Sequence, residues 1–121
     1  MKKEDILFHK GIEAFNNRQF YDAHEYWEEL WLDYKLNDPQ FIQGLIQLAV
    51  SYFHLSNQNL KGARSMLKKC QKKIDPIEIA RGIDVIELKS QILNVQEYFE
   101  NINNTSDIIN SYIITLKVLH E

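Results

Sequence analysis

Apolar residues return every three to four positions along most of the chain, and that spacing predicts helices. Helix one is predicted from about Asp5 to Asn16, with Ile6, Leu7, Ile12 and Phe15 among its apolar positions. Asn16-Asn17-Arg18 is the turn that ends it. Helix two, from about Phe20 to Tyr34, carries Phe20, Ala23, Trp27, Leu30, Trp31 and Tyr34 as one stripe and leaves Asp22, Glu25 and Glu29 to solvent. Helix three runs from Pro39 to about Ser56 and is the predicted buried centre, because no charged residue occurs between Asp38 and Lys61. Its polar positions, Gln43, Gln47, Ser51 and His54, form a narrow stripe. Gly44, inside that helix, predicts a close helix approach. Helix four, from about Leu60 to Ile74, turns Ala63, Met66, Leu67, Cys70 and Ile74 inward. Its Lys61, Arg64, Lys68, Lys69, Lys72 and Lys73 face out or flank the stripe, and the last lysines suit the helix C-terminal dipole.

Two Asp-Pro pairs, Asp38-Pro39 and Asp75-Pro76, read as an N-cap followed by the first helical residue. After the second, Asp75 to Gly82 is expected as one short helical turn. A longer helix from about Asp84 to Asn101 follows. Its Val85, Leu88, Ile92, Val95, Phe99 and Ile102 alternate three and four apart, a coiled-coil-like seam that would bury within the chain or against a second copy. Of the two, a homodimer is the expectation. Asn103-Asn104-Thr105 breaks that helix. Ser106 to His120 is expected to be helical, with strand as the alternative because Ile113-Ile114-Thr115 is rich in β-branched residues. A faint echo links the segment from Phe15 to Ala23 with the segment from Leu55 to Ala63: a helix ends, a short polar turn follows, and Ala sits early in the next helix. The predicted fold is all-α, a compact bundle of about five to six helices with repeat-like hairpins, in one domain over residues 1–121.

Composition narrows the partners. The chain has 121 residues, 45% hydrophobic and 26% charged, which suits an ordinary globular domain rather than a disordered one. Its net charge of −3 argues against nucleic acid or an anionic membrane as the main partner. The basic side of helix four reads as a solvated face. The most apolar stretch, Phe41 to Leu55, is too short and too often interrupted to cross a bilayer. The lone Cys70 has no intramolecular disulfide partner and sits on an apolar face, which predicts an inert, packed thiol. The first residues, Met1-Lys2-Lys3-Glu4-Asp5, lack the apolar run of a signal peptide, so a cytoplasmic location is expected.

The one local pattern with chemical content is His24-x-x-x-Glu28-x-x-Trp31 on helix two. His24 and Glu28 are one turn apart and share a face, at the edge of the stripe that holds Trp27 and Trp31. Their expected state is partly buried, with each polar group partnered. Around this pattern the chain resembles the domain of unknown function 309 family of uncharacterised bacterial and archaeal proteins. The resemblance rests on Phe15-Asn16, Ala23-His24-Glu25-x-x-Glu28-x-x-Trp31, Gln43-Gly44-Leu45-Ile46-Gln47-x-Ala49, His54 and Gly62-Ala63-Arg64. It covers roughly the first seventy residues. It implies an all-helical fold, a suggested metal-binding role for the motif, and no established activity.

Three readings of the motif follow. In the first, His24 and Glu28, capped by Gln43 or Gln47 and wedged against Trp27 and Trp31, form a satisfied buried network in a non-enzymatic protein- or small-ligand-binding domain. In the second, a divalent metal such as zinc is held by His24 and Glu28, with His54 as the best third ligand and His9 and Glu25 weaker, in a metal-binding protein or metal-dependent hydrolase. Two ligands do not make a zinc site, and the order His-then-Glu matches neither the zincin nor the di-iron helical pattern. The third is acid–base chemistry or ligand recognition without metal. His24, Glu25, Glu28, Trp27, Trp31, Gln43, Gln47 and His54 are the candidate pocket residues; Trp27 and Trp31 could line a ligand pocket, but core packing is their expected role because they continue the apolar stripe. The sequence carries no phosphate loop, nucleophile elbow or Cys-x-x-Cys, and it specifies no substrate or catalytic residue.

Overall fold

In a computed structural model, which describes residues 2–105 and 112–119, helices form where the apolar period places them: α1 (Lys3–Asn16), α2 (Phe20–Asp33), α3 (Pro39–Ser56), α4 (Leu60–Ile74) and α5 (Val85–Asn101). A two-residue antiparallel hairpin, β1 (Ile79–Ala80) and β2 (Ile83–Asp84), joins α4 to α5. The class is all-α. α3 is the central helix, flanked by α2 and α4, while α1 packs on α2 and α5 on α4. Phe41, Ile42, Leu45, Leu48 and Ala49 on α3 are closed to solvent, as its lack of charge requires. Among the described residues no helix is long and apolar enough to cross a membrane.

The echo in the sequence is a repeated turn. At the end of α1, Asn17, Arg18 and Gln19 donate backbone N–H groups to Glu13, Phe15 and Ala14, and Ala23 donates to Gln19. At the end of α3, Asn57, Gln58 and Asn59 donate to Phe53, Leu55 and His54, and Ala63 donates to Asn59. The middle residue of each turn is left-handed, Arg18 at φ 64° and Gln58 at φ 61°. Each left-handed residue stops one helix and reverses the chain, so α1–α2 and α3–α4 are two copies of one helical hairpin.

Within the first hairpin Trp27 is fully buried, and its ring N–H donates to the Phe8 carbonyl at 3.2 Å. Gly11 makes room for it: a Cβ there would lie 2.0 Å from Trp27 Nε1. Gly44 plays the expected close-approach role against α4, with Ile74 Cγ2 2.7 Å from where its Cβ would sit.

Three expectations need correction. The two Asp-Pro pairs do not act alike. Asp38 precedes α3, but its carboxylate makes no cap bond; it accepts two hydrogen bonds from Arg81, at 2.8 and 3.0 Å, and so ties the hairpin to the start of α3. Asp75 instead ends α4, and Pro76 prevents the helix from continuing. Asp75–Gly82 is therefore not a helical turn; its last residues enter a hairpin closed by Arg81 and Gly82, both left-handed at φ 50° and 77°, the signature of a two-residue β-turn. The α5 seam is the second correction. Val85, Leu88, Ile92, Val95 and Phe99 are all buried inside the chain, so the seam is not available as a dimer interface. The third concerns the C-terminal segment: Ile114 to Leu119 is neither helix nor assigned strand, and the rest of the expected helix, 106–111 and 120, lies outside the described residues. Polar anchors hold this segment, since Tyr52 and Asn16 bond its backbone in place of a ladder.

Candidate functional site

α2 buries Phe20, Ala23, Trp27 and Leu30. At 100° per residue these leave a second stripe at the edge of the buried face, made of Tyr21, His24, Glu28 and Trp31. His24 Nε2 lies 2.5 Å from Glu28 Oε2, a one-turn pair, and His24 Nδ1 lies 3.9 Å from Glu25 Oε1. The imidazole thus stands between two carboxylates of its own helix. Tyr21 completes the row: its ring is 5.7 Å from the His24 ring and 5.2 Å from Phe53 on α3. A hydrogen bond to Glu25, and that carboxylate's charge, hold the Tyr21 phenol above its usual pKa.

The pair is not a buried network. The His24 side chain is 22% exposed and Glu28 44%. Trp31 is 39% exposed, so it is not core, unlike Trp27. The reason is angular: Trp31 lies one residue past Leu30, the last core position of α2, and that step rotates it to the His24 side. Nor do the glutamines cap the pair. Gln43 is half-buried and has no hydrogen bond to His24 or Glu28 among the described residues, while Gln47 is buried with an Oε1 that finds no partner there.

His54 is engaged elsewhere. At the corner between α3 and α4 its Nδ1 sits 3.3 Å from Asn59 Nδ2, while Asn59 Oδ1 caps α4 by accepting from the Gly62 N–H at 2.9 Å. A Cβ on Gly62 would lie 2.5 Å from Asn59 Nδ2 and 3.0 Å from His54 Cγ. His54, Asn59 and Gly62 are thus one corner motif. Arg64, expected to be a flanking charge, donates to the Phe99 and Ile102 carbonyls at 2.7 and 3.0 Å and fastens the end of α5. Ser51 donates to the Ala63 carbonyl at 2.7 Å. Cys70 is buried, and burial pushes its thiol up to about 12.

These positions decide which residues could hold a metal. His24 and Glu28 supply two donors, already paired with each other, and His54 is committed to Asn59. Among the described residues no three His, Cys, Asp or Glu side chains come together to hold an ion. The donor set falls short of the three protein ligands and a water that catalytic zinc requires. What the stripe presents is two exposed aromatic rings, Tyr21 and Trp31, on either side of the His24–Glu28 pair. The sequence reading missed Tyr21. Its signal was the spacing, since residues 21, 24, 25 and 28 follow one helix face.

The model of the family described as "domain of unknown function" (DUF309) matches residues 8–66. Residues 8–66 thus carry the DUF309 domain. The match runs from α1 into α4 and takes in both turns of the repeated hairpin and the whole α2 stripe. α5 and the C-terminal segment lie beyond the part that the DUF309 model matches. No curated protein matches the chain.

Proposed function

We propose that this chain is a non-enzymatic interaction domain, and that the α2 stripe of Tyr21, His24, Glu28 and Trp31 is its recognition face for a protein partner. One observation carries this reading. The stripe is half-buried at His24 and Glu28 and exposed at Tyr21 and Trp31, and it reaches beyond α2 through Tyr21 against Phe53, whereas Phe20, Ala23, Trp27 and Leu30 are committed to the core. Tyr and Trp are the residue types that dominate protein-recognition hot spots, and here both stand beside a polar His–Glu pair that can orient a partner. A small-ligand role is less favoured because such sites are concave. The nearest cavity, about 310 Å³ and lined by Arg18, Phe20, Tyr21 and Phe53 among others, does not include His24, Glu28 or Trp31 in its walls.

The test is site-specific photo-crosslinking in cells. A benzophenone amino acid is placed at Trp31 and, as a control, at Glu13 on the exposed side of α1. The reading expects a defined adduct from position 31 and none from 13, and at least tenfold weaker binding of that partner by purified His24→Ala. Adducts of equal intensity at both positions, or an affinity untouched by His24→Ala, would refute it.

A further inference from the structure

Over residues 114–119 the chain returns along the bundle as an irregular segment. Burial alternates along it: Ile114 and Leu116 are buried, Thr115 and Lys117 exposed. Hydrogen bonding alternates in step from Ile114 to Lys117, beyond which the Leu119 N–H donates to the Gly82 carbonyl of the hairpin at 2.8 Å. The Ile114 N–H donates to the Tyr52 hydroxyl at 3.1 Å, and Asn16 holds Leu116 twice, accepting from its N–H at 2.8 Å and donating to its carbonyl at 2.9 Å. A two-residue period in both properties is that of an extended chain. The backbone groups of Thr115 and Lys117 then point to the opposite side, and none of them has a hydrogen-bond partner among the described residues. Unpaired donors and acceptors at strand spacing are a template for another strand.

Beside that edge, between the segment and α5, runs a groove of about 820 Å³ lined by Thr115 and Lys117. Gln91 and Asn94, one turn apart on α5, supply carboxamides to its far wall. Val95 and Ile114, both buried apolar residues, also line it. A second cavity of about 80 Å³ shares Gln91, Thr115 and Lys117 and continues the groove toward the hairpin.

We propose that this groove takes an extended peptide segment of a partner protein, added as a strand to the Thr115–Lys117 edge. Main-chain groups of Thr115 and Lys117 would bond one edge of the peptide and the carboxamides of Gln91 and Asn94 the other, with alternate small apolar side chains over Val95 and Ile114. At 3.3 Å per residue about five residues of extended chain lie along the segment. The chemistry selects this occupant over others. A helix has no free main-chain edge to offer. A second copy would bring its own α5 to the same groove. This site lies outside the α2 stripe and does not depend on its reading.

The probe is the peptide acetyl-Lys-Val-Thr-Val-Thr-Val-Lys-amide, its lysines serving solubility. Two versions, N-methylated at the valines or at the threonines, each block one peptide edge. The expected result is binding of the unmethylated peptide, with at least tenfold loss for the version blocked at the docked edge. Amide exchange at Thr115 and Lys117 should be fast in the unliganded protein and slowed by the peptide, while Leu116 is protected throughout. Thr115→Pro removes an N–H that nothing uses, so it should keep the melting temperature within about 3 °C yet bind at least tenfold more weakly. The proposal is overturned if Thr115 and Lys117 are already protected in the unliganded monomer, or if they become protected only through dimerisation. It is equally overturned if both methylated peptides bind like the parent, or if no peptide binds at millimolar concentration.

Discussion

In the second hairpin, Arg64 and Lys68 on α4 reach across to α5: Arg64 bonds two carbonyls at its end, and Lys68 lies 3.7 Å from Glu100. The shared turn pairs Ala23 with Ala63, and so sets His24 against Arg64, Glu28 against Lys68 and Trp27 against Leu67. In the first hairpin the matching pair turns inward on itself, His24 to Glu28. One architecture thus uses the same two positions differently. On α4 they fasten the next helix; on α2 they are released from that task and stand beside an exposed tryptophan. The difference teaches where fold and function divide. A position that fastens the next helix in one repeat is left without that task in the other, which is where the proposed recognition face lies.

The largest break in this comparison is at the matched core positions. Trp27→Ala should destabilise by about 3–5 kcal/mol in urea unfolding, because it empties a closed site shaped around Gly11. A loss under 1 kcal/mol would mean that the first hairpin is not anchored there. Next is Arg64→Ala. Removing two charge-assisted hydrogen bonds and leaving partly buried carbonyls unpaired should cost about 2–3 kcal/mol, with exchange protection lost first at the end of α5. If α5 protection survived intact, α4 would not be its fastening.

Much of this was legible in the sequence. α3 and α4 begin and end where the apolar period and polar turns place them, because an uncharged run between Asp38 and Lys61 has only the core to occupy. The echo between residues 15–23 and 55–63 foretold two equivalent turns. What failed did so where tertiary partners decide. Asp75-Pro76 reads locally like Asp38-Pro39, but the meaning of a proline depends on whether a helix is ending or starting. The periodicity of α5 could not say whether its seam meets its own chain or another. For Ile114–Leu119 the anchors are Asn16 and Tyr52, distant in sequence and invisible to any local pattern. Trp31 was misjudged because apolar character alone does not separate a core stripe from an exposed anchor one residue further round the helix.

A smaller effect sharpens the view of the α3–α4 hairpin. Cys70→Val should change stability by less than about 1.5 kcal/mol near neutral pH. The folded thiol is raised to about 12 by burial, while the unfolded thiol titrates near its ordinary value of about 9. Below that unfolded value the thiol is neutral in both states and costs nothing. As pH rises from about 9 toward 12 the unfolded chain alone gains a thiolate, so wild-type stability should fall relative to Cys70→Val. Parallel pH profiles for the two proteins would show that the thiol is not sealed. Metal content bears on the other hairpin. Untagged protein purified without chelator should carry no stoichiometric zinc, manganese, iron or nickel that His24→Ala removes, and a 1:1 ion lost in that variant would restore the metal reading.

The smallest effect expected is also the most direct test. It is the free energy of urea unfolding of the His24→Ala, Glu28→Gln double variant against wild type and Arg64→Ala. Exposed one-turn pairs contribute about 0.3–0.5 kcal/mol, so the double variant should lose less than about 1 kcal/mol while Arg64→Ala loses at least twice as much. A loss in the double variant equal to or larger than that of Arg64→Ala would make the α2 pair a structural fastening like its counterpart, and would contradict its release for recognition.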